Sequence, residues 1–274
     1  MGRASVAPTR RSESPKKELD LVAYVNSVAP DLALESNTRS LIRERRADDR
    51  GAVVLLCATA GYIDAVGLIT LVGLFPAHVT GELVGLTTAF TAGHHLSHAS
   101  RFAVLPTFVA ALVIAAAVSH ARKRRGDSPG RALVGLMALS LTVCAATAFF
   151  GPTPAPSAFT WVYAVREGSV VAAMAFQNAL ARVSAVSSCP TTVMTGNLTH
   201  FVFELVETLA WRFRRRQTDD THARPSSRLG LVSTALGAFV VGAVVGGYLT
   251  GVLGAFSIVL PLLGTLALAR RLAR

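Results

Sequence analysis

Tyr62-Ile63-Asp64-Ala65, followed by Phe75-Pro76 and then Thr80-Gly81-Glu82-Leu83, lies inside one long apolar stretch. About 115 residues later the arrangement returns as Phe176-Gln177-Asn178-Ala179, Cys189-Pro190 and Thr195-Gly196-Asn197-Leu198. Each copy sets a polar group deep in hydrophobic sequence, places a proline 12 residues further on, and closes with Thr-Gly before a carboxylate or amide. Proline removes a backbone donor and interrupts a helix. Polar groups inside apolar segments are costly in lipid, and paired interruptions in two halves of a chain point to a functional site.

The rest of the chain fits a membrane setting. Of its 274 residues 51% are hydrophobic and 16% charged, with a mean hydropathy of +0.48; soluble domains carry roughly 25% charged residues. Of the 27 Lys and Arg, ten precede residue 51, five fall in 122–131, six in 212–228 and three in 270–274. Only Arg101, Arg166 and Arg182 lie elsewhere. Between the clusters run apolar segments near the ~20 residues that a spanning helix needs. The fold class is therefore all-α, a polytopic helical membrane protein. The net charge of +11 is read as membrane-flanking loops, not as a nucleic-acid surface, because apart from Trp211 and Phe213 at a helix end no aromatic residues interleave with the basic clusters as base stacking requires.

Residues 1–50 read as a polar, largely disordered cytoplasmic tail, not a signal peptide, since the first long apolar run starts at Gly51. Apolar segments follow at roughly 51–74, 77–93, 102–121, 131–150, 160–181, 191–211, 229–250 and 252–270. The Pro-rich link Gly151–Pro156 divides them into a first membrane repeat, 51–150, and a second, 160–270. If all eight crossed, with the tail inside, Arg122-Lys123-Arg124-Arg125 would fall outside, against the positive-inside tendency. If the segment after each proline re-enters, three crossings remain per half, and the tail, both basic loops and Arg270-Arg271 all fall inside. About six transmembrane helices plus two broken or re-entrant segments are thus expected. The odd number per half makes this an inverted internal repeat with both termini cytoplasmic. Eight crossings with parallel repeats are the alternative, since 77–93 and 191–211 hold enough apolar residues to span. Glycines four apart (Gly81/Gly85, Gly242/Gly246, Gly247/Gly251) suit close helix packing and are compatible with a homo-oligomer.

The candidate site residues are Asp64, Thr80, Glu82, Gln177, Asn178, Thr195 and Asn197, with Pro76, Gly81, Pro190 and Gly196 as the structural breaks. A mid-span carboxylate must be protonated, paired or wet, so Asp64 is the candidate proton or cation group. Its bland role is a hydrogen bond to a neighbouring helix end. For Glu82 the bland role is first-turn capping behind Thr80. Gln177 and Asn178 need partners in an apolar helix; with the backbone and hydroxyls of 190–196 they form either a lock or half of a solute site. Arg166 is expected to snorkel to the outer interface, and Arg182 to pair with Asp64 or Glu204. Glu204 and Glu207 share a helix face, expected at the inner interface beside Arg212 and Arg214, with the lining of an aqueous path as the alternative. His94, His95 and His98 read as a polar external loop, and no metal or cofactor is expected. Cys57, Cys144 and Cys189 are dispersed and read as small buried hydrophobes.

At these residues the chain resembles the YoaK family of bacterial inner-membrane proteins, a domain of unknown function. Gly61-Tyr62-Ile63-Asp64-Ala65 with Thr80-Gly81-Glu82 resembles that family's early motif. Gln177-Asn178-Ala179 with Thr191-Thr192-Val193-Met194-Thr195-Gly196-Asn197 resembles its later one, over roughly residues 51–270. Glu82 departs from the pattern, which has Asn at that place. The resemblance implies a multi-pass protein of about six helices in the bacterial inner membrane, and no substrate. The residues themselves suggest a small-solute permease, proton-coupled through Asp64, with the lipid bilayer and an unidentified solute or ion as partners. A non-transporting scaffold or accessory subunit is the alternative, and an intramembrane metal enzyme using the histidines a third. No nucleophile elbow, phosphate loop or paired-carboxylate pattern points to an enzyme.

Overall fold

A computed structural model describes residues 50–71, 73–91, 101–151, 161–183, 192, 194–217 and 228–273. The tail, the Pro-rich link, Pro190, Cys189 and the histidines at 94, 95 and 98 lie outside them. The described residues form helices α1 (Arg50–Thr70), α2 (Val79–Thr91), α3 (Arg101–Arg124), α4 (Pro129–Phe150), α5 (Trp161–Val183), α6 (Met194–Gln217), α7 (Arg228–Leu253) and α8 (Val259–Ala273). No strand occurs among them. Four helical stretches are long and apolar enough to cross a membrane: α1, most of α3, α4, and the run from Leu229 to Leu272. The described part of helix α2 covers 13 residues, about 20 Å at 1.5 Å per residue.

Two glycines with positive φ set the corners that matter. Gly73 (φ 83°) closes α1, its N–H donating to the Leu68 carbonyl at 3.1 Å. Gly254 (φ 60°) ends α7 and turns the chain through the 3-10 segment Gly254–Ile258 into α8. Only glycine enters this region without steric cost. Both corners reverse the chain inside otherwise continuous apolar sequence, where hydropathy alone leaves the boundary blurred.

Contacts fix which helix ends lie together. Tyr62 of α1 donates to the Ser257 carbonyl at the α7–α8 corner, 2.9 Å away. Phe149, near the end of α4, meets Phe256 of that corner with ring centroids 4.6 Å apart. Arg166, near the start of α5, donates to the carbonyl of Thr147 in α4. At the other end, Gly51 faces Arg271, and Gly130 at the start of α4 faces Leu180 near the end of α5. One end of the bundle therefore gathers Arg50, the Arg122–Arg125 turn, Arg131, Arg182 and Arg270-Arg271, while the other holds the α7–α8 corner and the start of α5.

Arg166 is not an interfacial snorkeller. It is 5% exposed, and its guanidinium donates to a last-turn carbonyl of α4 that also accepts from the Gly151 N–H, at a helix end whose dipole favours a cation. Outward-facing apolar side chains abound instead on the helix flanks: Val113 on α3, Phe203 on α6, and Val241 and Val244 on α7 are each more than 60% exposed. Such surfaces suit lipid contact. Glu207 is exposed on α6, and Glu204 is half-buried. Cys57 and Cys144 are buried.

Helix α7 lies directly against α1 through glycine. A methyl at Gly242 would fall 2.0 Å from the Ala58 carbonyl oxygen, and one at Gly61 would fall 2.1 Å from that of Phe239. Backbone contact of this kind is how small residues hold membrane helices together. Gly247 and Gly251, by contrast, face open space, as does Gly81. Gly242→Ala is expected to cost about 1–3 kcal/mol, visible as a lower melting temperature of the purified protein in detergent. Gly247→Ala should leave melting unchanged, and equal effects at both positions would contradict this packing.

Candidate functional site

The first break is held by two carboxylates. After Gly73 the chain doubles back along α1, where Pro76 packs so closely on Gly67 that a methyl there would sit 2.7 Å from the proline ring. The Ala77 N–H donates to Asp64 Oδ1 at 2.8 Å, and the Phe75 N–H donates to Glu82 Oε1 at 2.8 Å. His78 N–H reaches the Phe75 carbonyl at 2.9 Å, and Pro76 has no N–H. Each backbone donor from Phe75 to His78 is thus accounted for, as burial in an apolar environment requires. Asp64 Oδ2 also meets His78 Nδ1 at 2.5 Å. Asp64 and Glu82 are 4% and 6% exposed. Helix α2 starts at Val79, one residue before the expected cap, so Thr80 lies in its first turn, exposed, and Gly81 follows it.

The second break repeats the spacing with different chemistry. Thr192 donates through its hydroxyl to Asn178 Oδ1, and Asn178 Nδ2 donates to the Met174 carbonyl at 3.2 Å. Asp64 with His78 and Asn178 with Thr192 are each 14 residues apart: carboxylate and imidazole at one break, amide and hydroxyl at the other. Gln177, fully buried, donates to the Leu56 carbonyl of α1 at 2.9 Å, tying the two halves. Asn197 is buried on α6, its amide 4.0 Å from Met194 Sδ. Gly196 lies half-buried in the first turn of α6.

A cavity of about 1060 Å³ lies between the breaks. Its wall includes His78 and Thr80 of the first break, Asn178, Thr192 and Thr195 of the second, and Arg182. One face of α3, from Leu105 to Ser119, completes it. That face spans 14 residues, about 21 Å along the helix axis. Of the sequence candidates, Thr80, Asn178 and Thr195 line the cavity. Asp64 stands behind His78, and Glu82, Gln177 and Asn197 lie outside the lining. Arg182 makes no ion pair with Asp64 or Glu204; it is exposed at the cavity.

Sequence reasoning passed over His78, Ser119 and Gly67. For His78 the signal was present, since it follows Pro76 by two residues as Thr192 follows Pro190. Among the described residues no three His, Cys, Asp or Glu side chains gather as a metal site would need.

A family model for proteins of unknown function, DUF1275, matches residues 52–270. The chain belongs to that family, of which the YoaK proteins are part. No match is found among curated proteins or among solved structures.

Asp64→Leu would leave the Ala77 N–H and His78 without their acceptor. A loss of about 1–3 kcal/mol for each stranded buried group is expected as a marked fall in melting temperature. Asp64→Asn keeps one acceptor oxygen and should fall less. A leucine variant as stable as the parent would show that the break does not depend on this carboxylate.

Proposed function

We propose that this protein is a small-solute permease of the bacterial inner membrane, with six crossings arranged as an inverted repeat and its site where the two breaks meet. The observation that carries the reading is the shared cavity, walled by both interrupted segments. Inverted repeats with discontinuous helices around a central site are a recurrent transporter design. The six-crossing count is supported by the gathering of basic residues at one end of the bundle, which then faces the cytoplasm with both termini. The bilayer is the surrounding partner, and the close-packing glycines leave room for a homo-oligomer. No enzymatic step is assigned.

Proton coupling would run through Asp64 and His78. The carboxylate is buried, and the imidazole joins it to the cavity, so a proton on the pair alters the charge that a solute meets. In proteoliposomes carrying the purified full chain, a small solute should accumulate faster under an inward proton gradient. Asp64→Asn should remove that dependence and lower uptake at least tenfold. Gradient-driven uptake that survives the substitution would take Asp64 out of the role.

The second reading, a non-transporting scaffold, is favoured by one observation: Gln177, Asn178 and Asp64 all find hydrogen-bond partners within the protein. It gains if no solute of any charge accumulates. Topology is open to a separate check. With six crossings Ser97→Cys reacts with a membrane-impermeant thiol reagent from outside the cell while Asp127→Cys does not, and the reverse pattern would overturn the arrangement.

A further inference from the structure

The cavity has a charged end and an apolar side. Helix α5 packs on α3, with Thr107 3.7 Å from the Cβ position of Gly168. The turn from α3 to α4 and the antiparallel α4–α5 pair make α3 and α5 run the same way. In that register Asn178, Arg182 and Ser119 sit within about a turn of one another, at the bundle end that gathers the basic residues.

Arg182 makes no ion pair among the described residues. Ser119 is 6% exposed, lines the same cavity, and its hydroxyl has no hydrogen-bond partner among the described residues. A buried hydroxyl without a partner is costly unless something else satisfies it. Among the described residues no carboxylate lines the cavity, because Asp64 and Glu82 are turned into the first break. From Ser119 the wall continues along α3 as Ala116, Ala115, Leu112, Phe108 and Leu105, without a polar group.

Resting on the permease reading, the geometry points to a solute class: a small monocarboxylate with an apolar body. Its carboxylate is held by the fork of Arg182 and the Ser119 hydroxyl, and its hydrocarbon part lies along α3. A planar guanidinium matches a carboxylate in two parallel hydrogen bonds. One cation with no opposing carboxylate suits a single negative charge. An anionic phospholipid shares this chemistry, with a phosphate head and apolar chains; the cavity's position between the two breaks favours the free acid.

The probes are phenylacetate and 2-phenylethylammonium, similar in body and opposite in charge, titrated into the purified full chain in an uncharged detergent and followed by melting temperature and by dissociation constant. Phenylacetate should bind and raise the melting temperature, and the ammonium should not. Arg182→Gln should weaken phenylacetate binding at least about tenfold and Ser119→Ala several-fold, each with unchanged melting in the absence of ligand. Arg182→Lys, which keeps the charge without the fork, should fall between and covers the case in which the glutamine variant does not fold.

Equal binding of the two probes, or unaltered binding by Arg182→Gln, overturns the inference. So does phosphatidylglycerol that binds the Arg182 site while phenylacetate does not, which would make the occupant a lipid. Proteoliposome uptake separates the two readings. Binding that depends on Arg182 without uptake of any solute leaves the anion site standing and removes the permease. Uptake of a cation or neutral solute, indifferent to Arg182→Gln, leaves the permease and removes the anion.

Discussion

A chain that stops being helical in apolar surroundings must find a partner for every backbone donor it exposes, and between Phe75 and His78 this protein meets two of its three with carboxylates. Asp64 takes the amide of Ala77, Glu82 takes that of Phe75, the proline has none to place, and His78 bonds back to Phe75. Water would otherwise fill these roles, and the hydrocarbon interior offers none. The position of α2, the depth of Pro76 against Gly67 and the presentation of His78 to the cavity all follow from this arrangement. The two acidic side chains are as much part of the backbone's bonding as of any chemistry with a solute.

The two halves are joined by equally specific means. Gln177 reaches a main-chain carbonyl on α1, while α7 meets α1 through glycines that leave no room for a side chain. These contacts fix main chain to main chain or to a rigid amide. They form a frame from which α3 and the two breaks enclose space. The apolar residues that face outward on α3, α6 and α7 contribute little to internal packing, as expected where the surrounding medium is itself apolar.

Much of this was legible in the residues. A carboxylate and an amide placed mid-segment, each followed by a proline 12 positions later, announce a break that needs bonding, and the charge clusters mark the helix ends. The chemistry of individual partners was harder to read. Asp64 looked like a solute-facing group, yet it bonds the break and reaches the cavity only through His78. A histidine two residues past a proline carries no hydropathy signal of its own. Arg166 resembled an interfacial cation because it lies near a segment's start, but the carbonyl it serves belongs to another helix, a relation that no local pattern encodes. Ser119, Gly67 and the choice of which glycine pair packs depend likewise on tertiary neighbours: Gly242 and Gly247 stand in the same helix under the same spacing, one against α1 and the other in the open.

The pairs that hold the two breaks differ in one chemical respect. Imidazole is the side chain whose ordinary pKa falls in the range cells inhabit; threonine and asparagine do not titrate there. Acid therefore has a handle on the His78–Asp64 pair and none on the Thr192–Asn178 pair, so of the two only the first can change its charge. Two breaks of the same spacing thus differ in what a change of acidity can do to them.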